Sequence, residues 1–200
     1  MEPTTPAGFN FTGQMFDLCR DACRRLPELR HIRMDEVAVS FCQTRRRVLH
    51  GLQAKLTPMR FAGGSLYTQR RGRKYTVERL YGPDGGEFLY ILSFYLPRFL
   101  DQTVDEKLTT IFHELWHISP DFDGDLRRFP GRCYAHSHSQ KEFDDHARDL
   151  SRAWIASGAP ARLHAFLDYT FDELHRRHGG IYGLKLRIPK LLPMPHQPTR

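Results

Sequence analysis

Five residues, His113-Glu114-Leu115-Trp116-His117, form an HExxH motif. On an α-helix, side chains four positions apart share one face, so His113 and His117 can bind a single Zn²⁺. Glu114 then lies beside the metal, where it can accept a proton from water that the metal activates. The motif therefore predicts a zinc site in which Glu114 acts as a general base.

The sequence around the motif favours a helix. Thr103 followed three positions later by Glu106 is typical of a capping box, and Pro120 follows the motif closely enough to end the helix. Apolar residues recur at helical spacing and form a stripe that we expect to face the core: Leu108, Ile111, Phe112 and Leu115. His113 and His117 lie off this stripe and remain available to a metal.

A catalytic zinc ion needs a third protein ligand and an open fourth position for water. Two histidines follow downstream, and a second capping box, formed by Ser139 and Glu142, predicts a helix start immediately after them. His138 directly precedes that cap, so we favour it as the third ligand. His136 is the first alternative, because in an extended segment both histidines project to the same side. A carboxylate such as Asp145 is the next.

Composition is that of an ordinary globular domain. The chain has 200 residues, of which 40% are hydrophobic and 26% charged, enough for one domain with a real core. The sequence has no apolar run long enough to predict a membrane span. The first residues do not resemble a secretory signal. We expect a loose segment over residues 1–11, one domain over 12–190 and a Pro-rich tail over 191–200.

Four cysteines, Cys19, Cys23, Cys42 and Cys133, form no CxxC pair. Cys19 and Cys23 share the apolar face of a predicted helix, which favours buried thiols over a disulfide or a metal site. Cys133 is a weak rival metal ligand because it lies near the histidine pair. This cysteine usage predicts a reducing, cytoplasmic location.

Positive charge is clustered along the chain, whose net charge is +7. One cluster is Arg45 to Arg47, and the second, flanked by Tyr67 and Tyr75, comprises Arg70, Arg71, Arg73 and Lys74. Basic side chains between aromatic rings can contact phosphates and stack on bases, so the second cluster is a candidate nucleic-acid-binding site. A solvated loop in a basic protein is the simpler interpretation.

The order of predicted elements indicates an α+β fold, with a small, mostly antiparallel sheet packed against the HExxH helix and further C-terminal helices. We expect helices over 12–26, 139–157 and 160–177. The expected strands are 36–44, 51–61 at an edge, 76–81 paired in a hairpin with 87–95, and a late strand within 181–190. The segment Arg70 to Lys74 is expected to be a loop. The alternating aspartates at 121, 123 and 125 favour turn chemistry over a calcium site.

The phrases HELWHISPDFDGDL and GRCYAHSHSQKEFD resemble the zincin metallopeptidases, and more narrowly the minimal SprT-like peptidases and the metallopeptidase family of phages and bacteria. The resemblance covers about a fifth of the chain. In SprT-like proteins the third ligand opens a His-Gly-x-x-Phe turn into a helix. Here His138 to Phe143 is one residue longer and lacks the glycine. The cysteine pairs of the zinc ribbon that many SprT-like proteins carry are absent.

These observations favour a zinc-dependent endopeptidase with Zn²⁺ as its cofactor and a peptide or protein as its substrate. The developing oxyanion needs a second donor, for which Tyr134, Arg132 and whichever of His136 or His138 is not a ligand are candidates. One alternative is a DNA-associated or SprT-like protease that acts on DNA-bound proteins. Another is a structural module in which zinc only holds the fold.

Overall fold

The computed structural model describes residues 7–44, 50–129 and 140–195. Over these ranges the chain has an α+β fold with five α-helices and three small sheets. In chain order the elements are β1 (Phe9–Asn10), α1 (Phe11–Arg25), β2 (Val37–Gln43), β3 (Ala54–Pro58), β4 (Tyr67–Arg70), β5 (Arg73–Val77), β6 (Tyr90–Leu96), α2 (Val104–Trp116), α3 (Gln140–Ala156), α4 (Ala161–His164), α5 (Phe171–His178), β7 (Ile181–Tyr182) and β8 (Leu191–Pro193).

The central sheet has the order β2-β6-β3, with β6 parallel to β2 and antiparallel to β3. β6 is almost entirely apolar and lies in the middle, as its composition predicts. β3 ends at Pro58, which lacks the N–H that a longer ladder needs, and it occupies one edge. The sheet is therefore mixed, whereas a mostly antiparallel sheet was expected.

The main hydrophobic core lies between one face of this sheet and helices α1, α2 and α3. Leu56 and Leu92 of the sheet and Ile111 and Leu115 of α2 are all buried in it. A smaller cluster of Ala38, Met59 and Ile91 lies on the opposite face. The sheet thus separates α2 on one side from β4 and β5, whose root packs against the smaller cluster.

Helix α2 begins with the predicted capping box. The Thr103 hydroxyl accepts a hydrogen bond from the Glu106 amide, and the Glu106 carboxylate accepts one from the Thr103 amide. Lys107 is 2% exposed, and its ammonium donates to the main-chain carbonyls of Leu167 and Tyr169 at 2.8 and 2.9 Å. The carbonyls that end the turn before α5 thus hold a buried lysine and fix one side of α2.

Several local predictions differ from the structure. The hairpin predicted between 76–81 and 87–95 is confirmed only next to its turn, where Tyr81 and Glu87 form an antiparallel bridge and the Phe88 amide donates to the Leu80 carbonyl. Farther from the turn the two segments belong to different sheets, since β5 pairs with β4 and β8 while β6 lies in the central sheet. The segment expected to be a loop forms the β4–β5 hairpin instead. The helix expected over 160–177 is split, because a capping box at Thr170 starts α5 afresh.

The chain ends also carry more structure than expected. Within residues 7–11, β1 pairs with β7, and Phe11 is completely buried. Residues 191–193 form β8, and the late strand expected within 181–190 is only β7. Cys19 and Cys23 are buried free thiols in α1, as predicted. In the part of the chain that the structure describes, no helix combines the length and the apolar character needed to cross a membrane.

Candidate metal centre

The two motif histidines bring their Nε2 atoms close together. His113 Nε2 lies 3.1 Å from His117 Nε2, and the ring centroids are 4.8 Å apart. Two nitrogens bound to one Zn²⁺ at about 2.0–2.1 Å, with a near-tetrahedral angle between the bonds, lie about 3.3 Å apart. The pair therefore has the donor chemistry and the spacing of two zinc ligands.

Helix α3 supplies a carboxylate that orients the first histidine. Asp144 Oδ1 lies 2.7 Å from His113 Nδ1. With Nδ1 protonated and donating to this carboxylate, Nε2 of His113 keeps its lone pair for a metal. The same helix places the Phe143 ring against both histidines, with centroids 4.7 Å from His113 and 4.6 Å from His117. Rotation of the imidazoles is thereby restricted from two sides.

The acidic residue that contacts His113 is Asp144, which the sequence analysis did not name as a site residue. Asp145, the carboxylate considered as an alternative ligand, instead forms ion pairs with Lys141 and Arg148 on the outer surface of α3. Sequence could indicate an acidic residue near the site because two aspartates follow Phe143. It could not indicate which of the two faces α2, since that depends on how α3 is rotated.

Glu114 lies on the β3 side of α2. Its Oε2 atom accepts a hydrogen bond of 2.6 Å from the main-chain N–H of Leu56 in β3. Burial raises the pKa of Glu114 to about 7, although the Leu56 N–H and the charge of Lys55 act in the opposite direction. A carboxylate with such a pKa is matched to general-base work near neutral pH.

A cleft of about 350 Å³ opens beside these residues. Its walls include His113, Glu114 and Asp144, together with Gln53 and Ala54 at the start of β3. The candidate base and the first histidine are therefore accessible from one depression that is bordered by a sheet edge.

The end of the motif is held by the segment that follows it. The Arg127 amide donates to the His117 carbonyl, and the Arg127 guanidinium donates to the Trp116 carbonyl, each at 2.7 Å. The same guanidinium lies 3.6 Å from the Trp116 ring centroid. Asp123 accepts a hydrogen bond from the Asp125 amide, which is the expected local turn chemistry. The buried Asp125 carboxylate instead joins distant segments, since it accepts hydrogen bonds from Arg128 and from the Gly63 amide, 62 positions away. His117 is thus anchored through its backbone.

The expected third ligand lies outside the described residues. This is true of His138 and His136, of the rival ligand Cys133, and of the oxyanion candidates Tyr134 and Arg132. Over residues 7–44, 50–129 and 140–195, no group of three His, Cys, Asp or Glu side chains is arranged to hold a metal. The described site therefore offers two candidate ligands, a carboxylate hydrogen-bonded to one of them and a candidate base.

The basic residues lie elsewhere. Arg70, Arg71, Arg73 and Lys74 are exposed on the β4–β5 hairpin, whose root packs on the sheet face opposite α2. The other cluster, Arg45 to Arg47, falls outside the described residues. Arg70, Arg71, Arg73 and Lys74 are thus not part of the histidine site.

Comparisons of the chain with protein-family models, with curated proteins and with solved structures found no match.

Proposed function

We propose that the chain is a zinc-dependent metallopeptidase of the zincin type. The observation that carries the proposal is the convergence of His113 Nε2 and His117 Nε2 to 3.1 Å while Asp144 holds Nδ1 of His113. Two imidazoles oriented in this way, with a buried carboxylate next to them in sequence, are consistent with two of the three protein ligands of a catalytic zinc site and its general base. His138 is the proposed third ligand, with His136 as the alternative.

Each described residue has a distinct role in this proposal. A bound Zn²⁺ supplies Lewis acidity toward a carbonyl oxygen and lowers the pKa of water to about 7. Glu114 accepts the proton of the attacking water and passes it to the leaving amine, while the Leu56 N–H holds its carboxylate in one orientation. Asp144 keeps the proton of His113 on Nδ1. Tyr134 is the proposed oxyanion donor.

Among the described strands β3 pairs only with β6, and its other edge is the proposed binding place for the substrate backbone. The Gln53 carbonyl and the Met59 amide bond to the β6 side, whereas the Leu56 amide points away from β6 toward Glu114. Because strand residues alternate in direction, the main-chain groups of Ala54 also face the open edge, where Ala54 lines the cleft. An extended peptide that pairs with this edge passes beside the candidate base.

Zinc content tests the ligand assignment directly. After purification without added metal, we expect about one zinc per chain and loss of this zinc in the His113→Ala, His117→Ala double variant. The matched control replaces His50 and His175, both exposed, by alanine and should keep its zinc. Equal zinc content in the double variant and the wild type would rule out the proposed site.

Hydrolysis tests the role of Glu114. Casein, an unstructured protein, is incubated with zinc-loaded wild type, with Glu114→Gln and with the control Glu28→Gln at an exposed position. We expect Glu114→Gln to retain zinc and to cleave about 10²–10⁴-fold more slowly, because an amide cannot accept the proton of water. Loss of zinc in this variant would make Glu114 a ligand. Zinc retention with no cleavage of casein or other unfolded proteins by wild type would favour the structural zinc module.

A further inference from the structure

The β4–β5 hairpin carries a concentration of positive charge that the structure does not neutralise. Arg70, Arg71, Arg73 and Lys74 are all exposed, and no carboxylate of the described residues forms an ion pair with any of them. Arginines near the base of the hairpin do have partners, since Arg187 pairs with Glu78 and Arg60 pairs with Glu87. Within the hairpin, the unpaired charge therefore lies at the tip.

The tip also adopts an arrangement that is unfavourable for folding. Arg70 is directly opposite Arg73 in the register of the hairpin, and like charges at paired positions destabilise a ladder. The turn between them consists of Arg71 and Gly72, with φ values of +49° and +73°. Turns of this kind favour asparagine or glycine at their first central position, because a left-handed backbone is unfavourable for a long side chain. A folding requirement alone would not select arginine at these positions.

The remaining side chains of the tip suit a polar, anionic partner. Lys74 lies over the Tyr67 ring, with its ammonium 4.0 Å from the ring centroid. Thr68 and Gln69 of β4 add hydrogen-bonding groups to the same hairpin. Together with Arg71, Arg73 and Lys74 they line a cleft of about 1120 Å³, which Met194 and Pro195 border on the β8 side. From Gln69 to Lys74 the sequence QRRGRK has no apolar residue that could enter a lipid surface.

We propose that the β4–β5 hairpin binds duplex DNA, with the tip in the major groove and its basic side chains on the phosphates. The major groove of B-DNA is about 12 Å wide and admits a two-stranded β-ribbon, whereas the deep, narrow major groove of A-form RNA excludes side chains. Arginine and glutamine are also side chains that hydrogen-bond to base edges. β8 pairs with β5 over Tyr75 to Val77, and the Met194 amide donates to the Lys74 carbonyl, so the turn from Arg70 to Arg73 extends past the last of these hydrogen bonds.

This site is independent of the proposed peptidase centre. The root of the hairpin is fixed by Val77 and Leu80, which pack on the cluster of Ala38, Met59 and Ile91. That cluster lies on the sheet face opposite α2. DNA on the tip would therefore leave the histidine cleft open, and Glu114→Gln should not change the affinity for DNA.

The test measures fluorescence anisotropy of a labelled 20-base-pair DNA duplex with the full chain between 50 and 200 mM salt. If four phosphate contacts form, affinity should fall about a hundredfold over this range, because each contact contributes about 0.9 to the logarithmic salt slope. The variant that replaces Arg70, Arg71, Arg73 and Lys74 by glutamine should lose most of this slope. A control variant with glutamine at four other exposed arginines, Arg24, Arg30, Arg162 and Arg176, loses the same charge and should bind like wild type.

A single substitution separates binding from folding. Arg71→Asn should raise the thermal stability slightly, since asparagine tolerates the left-handed conformation, and should lower DNA affinity several-fold. Equal loss of affinity in the control quadruple variant would overturn the proposal by reducing it to net charge. Tighter binding of duplex RNA or of anionic vesicles than of duplex DNA would overturn it as well.

Discussion

Replacing Asp144 by asparagine tests whether this residue, which is not a proposed ligand, orients His113 in the proposed metal centre. The amide is nearly isosteric with the carboxylate, but it carries no charge to hold the proton on His113 Nδ1, which is 2.7 Å away. The asparagine oxygen can still accept a hydrogen bond. The substitution therefore removes the charge of the pair and little of its shape.

The expected loss of zinc affinity follows from the hydrogen bond between Asp144 and the proposed ligand His113. Loss of a hydrogen-bonded carboxylate behind a zinc-binding histidine typically costs about 10–100-fold in metal affinity, or about 1.4–2.7 kcal/mol of binding free energy. Without metal the effect should be smaller, because the side chains of His113 and Asp144 are 17% and 38% exposed and solvent screens the pair. We expect a change of about 0–1 kcal/mol in the free energy of unfolding.

Zinc affinity is measured by competition with a chromophoric chelator, and unfolding is followed by circular dichroism in urea on metal-free protein. Asp145→Asn is the matched control, because it changes the neighbouring acidic residue, whose ion pairs go to Lys141 and Arg148. This control should bind zinc like wild type. Equal affinity of the Asp144 variant and the wild type, or an equal loss in both variants, would refute the assignment of Asp144 as the residue that orients His113.

Two further predictions concern the third ligand and the placement of α2. His138→Ala should lower zinc affinity by more than the roughly 10–100-fold expected for a residue that only hydrogen-bonds to a ligand, because a direct metal bond is lost. It should also lower the affinity by more than His136→Ala does. The chelator competition measures both variants, and the reverse ranking would move the third ligand to His136. Lys107→Ala should reduce the free energy of unfolding by about 2–4 kcal/mol, since it leaves a cavity and two buried carbonyls without their donor. Lys141→Ala, at a side chain that is 83% exposed, should change it by less than about 0.5 kcal/mol. Urea denaturation compares these lysine variants, and equal effects would contradict the structural role of the buried ammonium.

Helix α2 could be predicted from sequence because its signals are local. Its capping box spans four residues, and its apolar stripe repeats within about two turns. The central place of β6 could be predicted for the same reason, since a nearly continuous apolar strand needs cover on both faces. The face that His113 and His117 share follows from helical geometry alone.

The contacts that complete the site could not be predicted, because they join distant parts of the chain. The Leu56 amide and the Glu114 carboxylate are 58 residues apart, and His113 and Asp144 are 31 apart. The β4–β5 hairpin was missed for another reason. A run of basic residues has no alternation of apolar and polar side chains, so only backbone pairing within the sheet reveals it as a strand.

The rotation of α2 about its axis connects the fold to the proposed chemistry. The apolar stripe that includes Ile111 and Leu115 is buried and fixes which side of the helix faces the sheet. Lys107, one turn before Ile111 and therefore next to the stripe, is held by the carbonyls of the turn before α5 and opposes rotation as well. In this orientation His113 and His117 face α3, where Phe143 and Asp144 contact them, and Glu114 faces β3. A helix that could rotate by one residue, about 100°, would separate the imidazoles from their carboxylate and the base from its amide. The packing that stabilises α2 is therefore also what positions the two histidines and the base relative to one another.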